Sequence, residues 1–203
     1  MGQDRSFWKD YQDKAWSFAK DSSKSLEYLL AGLVGEPGEV AEKVKKRKRG
    51  DYSNAPDALF NNDIVLELGD CIWYPFALAT HIGVNLAQAG GFVPPSREKP
   101  VPCKDLTAAC VLLTKKATAI AEIFMVGDEI IAEDALPDMF GSGAISSTPA
   151  HFRFANAVKS YMEQIARIAA VADFDVYSVA TRNDIKLSSR KAAGTISGSG
   201  DNR

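Results

Sequence analysis

Two pairs of carboxylates in the sequence share a spacing that suits metal binding. Glu36 and Glu39 lie three residues apart in LVGEPGEVAE, and Glu67 and Asp70 repeat this spacing in LELGD. Residues three apart on an α-helix share a face, so the members of each pair project together. Oxygen ligands without histidine or cysteine favour a hard cation, Mg²⁺ or Mn²⁺, and a Mg²⁺ site is usually completed by substrate phosphates. The two pairs therefore predict a metal site that acts on a phosphate ester.

Small residues accompany both pairs. Gly35, Gly38 and Gly69 place no side chain beside the carboxylates, so that helices and a large substrate can approach closely. Pro37 lacks a backbone N–H and predicts a kink one residue past the first acid. A competing interpretation is that the acids are solvated and pair with nearby lysines: Lys43, Lys45 and Lys46.

The carboxylates need two helices to position them. Apolar periodicity predicts one helix over residues 25–49 and another over 57–82, joined by the loop DYSNAP. The first ends in six basic residues within positions 43–49, followed by Gly50, which is typical of a helix C-terminus. An antiparallel hairpin of these helices would bring the two acidic pairs face to face.

The rest of the chain also has helical periodicity. No segment alternates long enough to predict a strand, so the expected fold class is all-α. The further predicted elements are an amphipathic helix at 6–20, a Pro/Gly-rich linker at 90–103, helical segments at 104–134 and 150–172, and a last helix at 175–191.

Composition limits the class of protein. The 203 residues suffice for one full domain, and 46% hydrophobic with 25% charged residues is ordinary for a globular protein. A net charge of -2 argues against general nucleic-acid binding. The three cysteines form no CxxC pair, and the two histidines, His81 and His151, have no metal-site spacing. We therefore expect a cytoplasmic protein without a disulfide scaffold, a zinc site or a membrane span.

The acidic motifs resemble a known family. GLVGEPGEVAEKVKK followed by ELGDCIWY is similar to the ExxE…ExxD signature of the MazG-like nucleoside triphosphate pyrophosphohydrolases, an all-α superfamily. Tyr11 and Gln12 in the first helix are family-like, and RNDIKLSSRKAAGTISGSGDNR resembles the family's closing helix and tail. The resemblance covers about residues 6–90 and 174–203.

The resemblance implies a helical bundle of the nucleoside triphosphate pyrophosphohydrolase type with an extra helical insertion. Residues 1–90 and 174–203 would form the catalytic bundle. Residues 91–173 would be an insertion, or a degenerate second repeat packed on the same core. The repeat is suggested by a weak echo between IWYPFALATHIGVNLAQA and MEQIARIAAVADFDVYSVA, in which Glu67 and Asp70 fall on Ala157 and Ser160.

The resemblance further implies a Mg²⁺-dependent enzyme, with Mn²⁺ able to substitute, that cuts a nucleoside triphosphate to the monophosphate and pyrophosphate. The implied metal ligands are Glu36, Glu39, Glu67 and Asp70, and Glu36 or Glu39 would accept the proton of the attacking water. The implied substrate-binding residues are Tyr74, Asn183, Lys186, Arg190 and Lys46. For Lys46 a solvated helix end is the favoured interpretation, whereas for Lys186 and Arg190 the resemblance favours substrate binding.

Several expectations accompany this assignment. The substrate preference leans to a purine nucleotide such as dGTP or GTP, and we expect a homo-oligomer, a dimer or a tetramer. The Gly/Ser-rich tail after residue 191 is expected to close over the triphosphate. The alternatives are a phosphoribosyl-ATP pyrophosphatase or dUTPase-like hydrolase of the same superfamily, and a non-catalytic helical interaction protein.

Overall fold

The fold is taken from a computed structural model, which describes residues 2–141 and 148–195. These residues form seven α-helices and a two-stranded antiparallel β-hairpin, which confirms the all-α class. The helices are α1 (Gly2–Phe18), α2 (Leu26–Arg49), α3 (Asp57–His81), α4 (Leu106–Ala121), α5 (Leu136–Phe140), α6 (Pro149–Ala169) and α7 (Val176–Ala192). The strands are β1 (Met125–Val126) and β2 (Glu129–Ile130).

Four of the helices form a bundle made of two helix pairs. The first helix pair, α2 and α3, packs against the second helix pair, α4 and α6, so that α2 touches α4 and α3 touches α6. Helices α1 and α7 pack on each other and on α3. Helix α3 therefore lies at the centre of the molecule, which explains why most of its residues are buried.

Polar residues fix where the long helices begin. Ser25 accepts a hydrogen bond from the Tyr28 amide at the start of α2, and Asp105 accepts bonds from two amides at the start of α4. Asp175 caps α7 in the same way. Side chains of this kind satisfy amides that have no partner within the helix. Gly50 ends α2 with a φ of 98°, a left-handed conformation that favours glycine.

One hydrophobic cluster runs through both helix pairs. Side chains of α4 and α6, such as Leu113 and Ile165, belong to the same cluster as Leu33 of α2 and Leu68 of α3. The predicted division into a catalytic bundle and an insertion or second repeat stays a prediction.

The predicted helix over 104–134 is wrong in its second half. Helix α4 ends at Ala121, and a 3-10 turn and the β-hairpin follow. Gly127 turns the β-hairpin with a φ of 65°, which a continuous helix does not accommodate. The short helix α5 lies in a segment predicted as a connection. The linker over 90–103 carries no helix or strand, and Phe92 anchors it in the core.

Buried hydrogen bonds of Gln12 hold α1 to the end of α3. Its Nε2 donates to the Val84 carbonyl at 2.7 Å and to Thr80 Oγ1 at 3.1 Å, and its Oε1 accepts the Leu86 amide at 3.1 Å. One side chain thus fixes the turn that leaves α3.

None of the helices within the described ranges combines the length and apolar character that a membrane span requires. The part of the predicted tail from residue 196 onward lies outside the described residues.

Candidate metal centre

Helix α2 presents one half-buried carboxylate towards α3. A buried stripe that includes Leu33, Pro37 and Val40 holds one side of α2 against the bundle, and Glu36 lies at the edge of this stripe. The helix continues through Pro37 without interruption. A Cβ added at Gly38 would meet no atom within 4 Å, so α2 is open at this position.

Helix α3 supplies two further carboxylates from the interior of the bundle. Glu67 is buried with 5% of its surface exposed, and Asp70, one turn later, is half-buried. Gly69 lies between them because α7 comes very close there: a Cβ at this position would stand 2.9 Å from Cβ of Asn183. The predicted role of Gly69 in close helix approach is therefore confirmed.

Three of the four predicted metal ligands come together. One carboxylate oxygen each of Glu36, Glu67 and Asp70 lies within 4.8 Å of the other two. Burial, followed by the negative charges of Asp70 and Glu67, raises the pKa of the Glu36 carboxyl to about 8. The metal-free protein therefore keeps Glu36 protonated at neutral pH, which relieves the repulsion among the three acids.

Two lysines neutralise the other two carboxylates. Lys43 Nζ lies 2.9 Å from Glu67 Oε1, and Lys186 Nζ lies 2.5 Å from Asp70 Oδ2. Both ammonium groups are largely shielded from water, which strengthens these ion pairs compared with pairs on the surface. In sum, the site balances three acids with two lysines and one proton.

A chain of hydrogen bonds orients Asp70. Asn183 Nδ2 donates to Asp70 Oδ1 at 2.9 Å, and the Tyr11 hydroxyl donates to Asn183 Oδ1, also at 2.9 Å. Tyr11 and Asn183 are both buried. The asparagine amide can therefore point only its N–H groups at Asp70, because Tyr11 occupies its oxygen.

Glu39 and Lys46, two further charged residues expected at the site, lie outside the group of three carboxylates and the two lysines paired with them. Glu39 is exposed and does not belong to the group of three carboxylates. Lys46 pairs with Glu42 at 3.6 Å, the arrangement expected of a solvated helix end. Arg190 lies in the last turn of α7, where its carbonyl accepts the Thr195 amide at 2.9 Å.

Tyr74 lies between the acids and an aromatic neighbour. Burial raises the pKa of its phenol, and the nearby Glu36 charge raises it further. The ring fits against α2 because Gly32 has no side chain; a Cβ there would stand 1.9 Å from Tyr74 Cε1. The Tyr28 ring, 6.4 Å away between centroids, is partly exposed. This pair forms an aromatic wall beside Glu36.

Sequence reasoning missed three contributors to the site. The sequence predicts Lys43 only as a solvated lysine, although it is seven residues from Glu36 and so lies near the same helix face. It marks Tyr11 only through the family resemblance, and it assigns no role to Gly32. No local signal marks Tyr11, because its partner Asn183 is 172 positions away in the chain.

The donor set fits a small hard cation. All three ligands are carboxylates, and neighbouring ligands around an octahedral Mg²⁺ lie roughly 3–4 Å apart. A spread of 4.8 Å therefore needs only small side-chain rotations to close around such an ion. Carboxylates suit Mg²⁺, Mn²⁺ and Ca²⁺, so the donor set alone does not identify the metal.

Comparisons with known proteins yield one partial relative. The chain is similar to the Gene 37 protein of Mycobacterium phage L5, with 43% identity over 67 residues that cover 33% of this chain and 58% of the phage protein. The chain thus spans less than two thirds of that relative's length. No protein-family model matches the chain, and no solved structure matches it.

Proposed function

We propose that this protein is a Mg²⁺-dependent nucleoside triphosphate pyrophosphohydrolase of the MazG-like type, with Mn²⁺ able to substitute. The observation that carries the proposal is the convergence of Glu36, Glu67 and Asp70 from two facing helices. Three shielded carboxylates beside two lysines suit a site that must hold both a divalent cation and a polyphosphate.

Glu36, Glu67 and Asp70 would hold the metal, and Glu39 would join them from the open side of α2. A divalent cation bound there would neutralise charge on the phosphates and increase the acidity of a bound water. The exposure of Glu39 means that its carboxylate can reach the site only by a side-chain rotation. Asn183 and Tyr11 would keep Asp70 in one orientation throughout.

The chain's own residues account for the remaining requirements of the reaction. A water oxygen attacks the α-phosphorus, its proton passes to Glu39 or Glu36, and the bond to the β-phosphate oxygen breaks to release pyrophosphate. Such a transfer depends on positioning and charge stabilisation more than on covalent catalysis. Lys186 and Lys43 would exchange their carboxylate partners for phosphate oxygens when a cation binds, and Arg190 would contact the same phosphates.

The aromatic wall of Tyr74 and Tyr28 would contact the nucleoside. Stacking on a base does not require a particular base, because every base presents a π-face. A purine such as that of dGTP or GTP is our proposed preference, and it rests on no base-specific contact in the site.

A substrate panel tests this function. Pyrophosphate release is measured for the ribo- and deoxynucleoside triphosphates, dUTP included, and for phosphoribosyl-ATP, each with Mg²⁺ and with EDTA. We expect Mg²⁺-dependent release of pyrophosphate from a nucleoside triphosphate by the wild type and none from Asp70→Asn. Turnover of phosphoribosyl-ATP or dUTP alone would replace the proposal by the corresponding hydrolase. No turnover of any substrate would favour a non-catalytic interaction protein.

A further inference from the structure

The outer face of α4 is unusual for a helix surface in contact with water. Val111, Thr114, Lys115 and Thr118 line a shallow depression of about 460 Å³, together with Ala119 and Glu122. The opposite side of α4 packs on α2 and α6, so this depression lies on the outside of the second helix pair, away from the three carboxylates.

The centre of this face is small and apolar. Thr114 donates its hydroxyl to the Cys110 carbonyl at 3.1 Å, and Thr118 donates to the Thr114 carbonyl at 3.0 Å. Both threonines therefore satisfy their polar atoms within the helix and leave their methyl groups available for contact. Ala119 adds another small apolar side chain. A helix face of this kind permits the backbone of another helix to approach closely.

Larger exposed apolar side chains lie in the first half of α4 and in the β-hairpin that follows it in the chain. Val111 is 65% exposed, and Leu112 beside it is also exposed. Beyond the other end of α4, Val126 of the β-hairpin is 73% exposed and Met125 is exposed as well. Large apolar side chains are unfavourable in water, which favours an interaction near these positions.

Two opposite charges lie on the same face without forming an ion pair within the described part of the chain. Lys115 and Glu122 are seven residues apart, which corresponds to about 10 Å along a helix and is too far for a direct pair. A second copy of the helix that runs antiparallel reverses their order. Each lysine then faces a glutamate of the other copy.

We propose that this face of α4 is a two-fold interface between two copies of the chain. The axis passes between Thr118 and Ala119, Lys115 pairs with the partner's Glu122, and Glu122 pairs with the partner's Lys115. The same symmetry places Val111 of each copy near the C-terminal end of α4 in the other copy. An isologous interface requires self-complementarity of this kind.

The homo-oligomer that the resemblance implies does not have to bury the first helix pair. In the structure, α4 and α6 of the same chain provide cover for α2 and α3. The interface on α4 contains none of the proposed metal or substrate ligands, so the two sites of a dimer would work separately.

Charge-swap variants test the interface in the purified chain. Light scattering and sedimentation should give a mass of twice the 22.0 kDa of one chain at micromolar concentration. We expect Ala119→Arg to give monomers, and Lys115→Glu and Glu122→Lys each to raise the dissociation constant at least about tenfold, because each change acts twice across the axis. The double swap Lys115→Glu with Glu122→Lys should restore the dimer.

Lys20→Glu is the matched control, since it reverses a charge on an exposed residue outside this face. Circular dichroism checks that every variant is folded. A monomeric wild type up to about 100 µM, well above the micromolar dissociation constants of weak specific complexes, would overturn the proposal. A dimer that persists in Ala119→Arg would also overturn it, and so would a double swap whose dimer dissociation constant is no lower than those of the single variants. None of these results depends on nucleotide hydrolysis.

Discussion

The two helix pairs of the bundle differ in the polar groups that they bury. The first pair holds Glu36, Glu67 and Asp70 within reach of one another. The second pair buries Gln164, which donates its Nε2 to the Ala109 carbonyl at 3.0 Å. Ser160 of the second pair accepts a hydrogen bond from Lys116. A neutral group needs one partner, whereas clustered carboxylates need positive charge, so only the first pair is suited to bind a cation.

The lysines make the contrast clearer. Lys43 reaches from α2 to Glu67 of α3, and Lys116 reaches from α4 to Ser160 of α6. A lysine that crosses from one helix to the next is thus common to both pairs. The carboxylate at its end distinguishes the candidate site from ordinary packing. Glycine follows the same division, because α2 and α3 contain glycines near the acids and α4 and α6 contain none.

The largest expected effect concerns catalysis. Glu67→Gln, Glu39→Gln or Asp70→Asn should reduce Mg²⁺-dependent pyrophosphate release by about 10³-fold or more, because each change removes a proposed metal ligand. Kinetics at saturating nucleotide and circular dichroism on the same samples separate lost chemistry from lost folding. Wild-type rates in these variants would remove the metal assignment.

The matched control for these variants is Glu163→Gln on α6, an exposed acid that pairs with Lys159 at 3.8 Å. It should retain wild-type activity. A similar loss of pyrophosphate release in the control would mean that activity does not depend specifically on the acids of the first helix pair.

The second helix pair should matter for stability. Ile165→Ala removes a fully buried side chain and should lower the free energy of unfolding by about 2–5 kcal/mol. Turnover at low temperature should stay close to wild type, since Ile165 is not among the residues placed at the carboxylates. Urea denaturation gives the first quantity and a rate assay the second. A large fall in the rate of folded protein would show that the second pair also shapes the site.

Glu36 gives a smaller effect that depends on pH. The pKa of Glu36 is about 8 in the folded protein and near 4.5 in the unfolded chain. Between these values the folded state holds more protons, so stability falls as pH rises through this window. The glutamine in Glu36→Gln cannot ionise. The free energy of unfolding of this variant should therefore exceed that of the wild type by roughly 1–3 kcal/mol at pH 9 and differ little from it at pH 5. Denaturation in EDTA measures this; a pH-independent difference would contradict the raised pKa.

The smallest effect concerns glycine. Gly69→Ala should lower the free energy of unfolding by about 1 kcal/mol, because the new Cβ would press on Asn183. Gly38→Ala, where nothing lies within 4 Å, should raise the free energy of unfolding by roughly 0.5–1 kcal/mol, because alanine favours a helix more than glycine does. Thermal unfolding of the two variants gives the comparison. Equal changes in melting temperature would mean that α7 does not pack closely on α3 at Gly69.

The sequence is sufficient to predict the long helices because their apolar periodicity reports which side faces the core. It fails after Ala121, where a local turn at Gly127 overrides the helical pattern. It brings Glu36, Glu67 and Asp70 together on facing helices, but it also places Glu39 with them, and the structure leaves Glu39 exposed outside this group. Tyr11 and Gly32 escape prediction because their contacts, with Asn183 and Tyr74, depend on tertiary packing between helices.

Gln12 makes one amide a reporter of the N-terminal helix. The Leu86 N–H donates a hydrogen bond to Gln12 Oε1 of α1, and not to an atom of its own segment. Its hydrogen exchanges with solvent when this bond opens, and departure of α1 from α3 is one movement that opens it. Tyr11 is the next residue in the chain, so the same movement withdraws the hydroxyl that orients Asn183. The hydrogen-exchange rate of Leu86 therefore sets an upper limit on how often α1 leaves α3 and the candidate site loses its alignment.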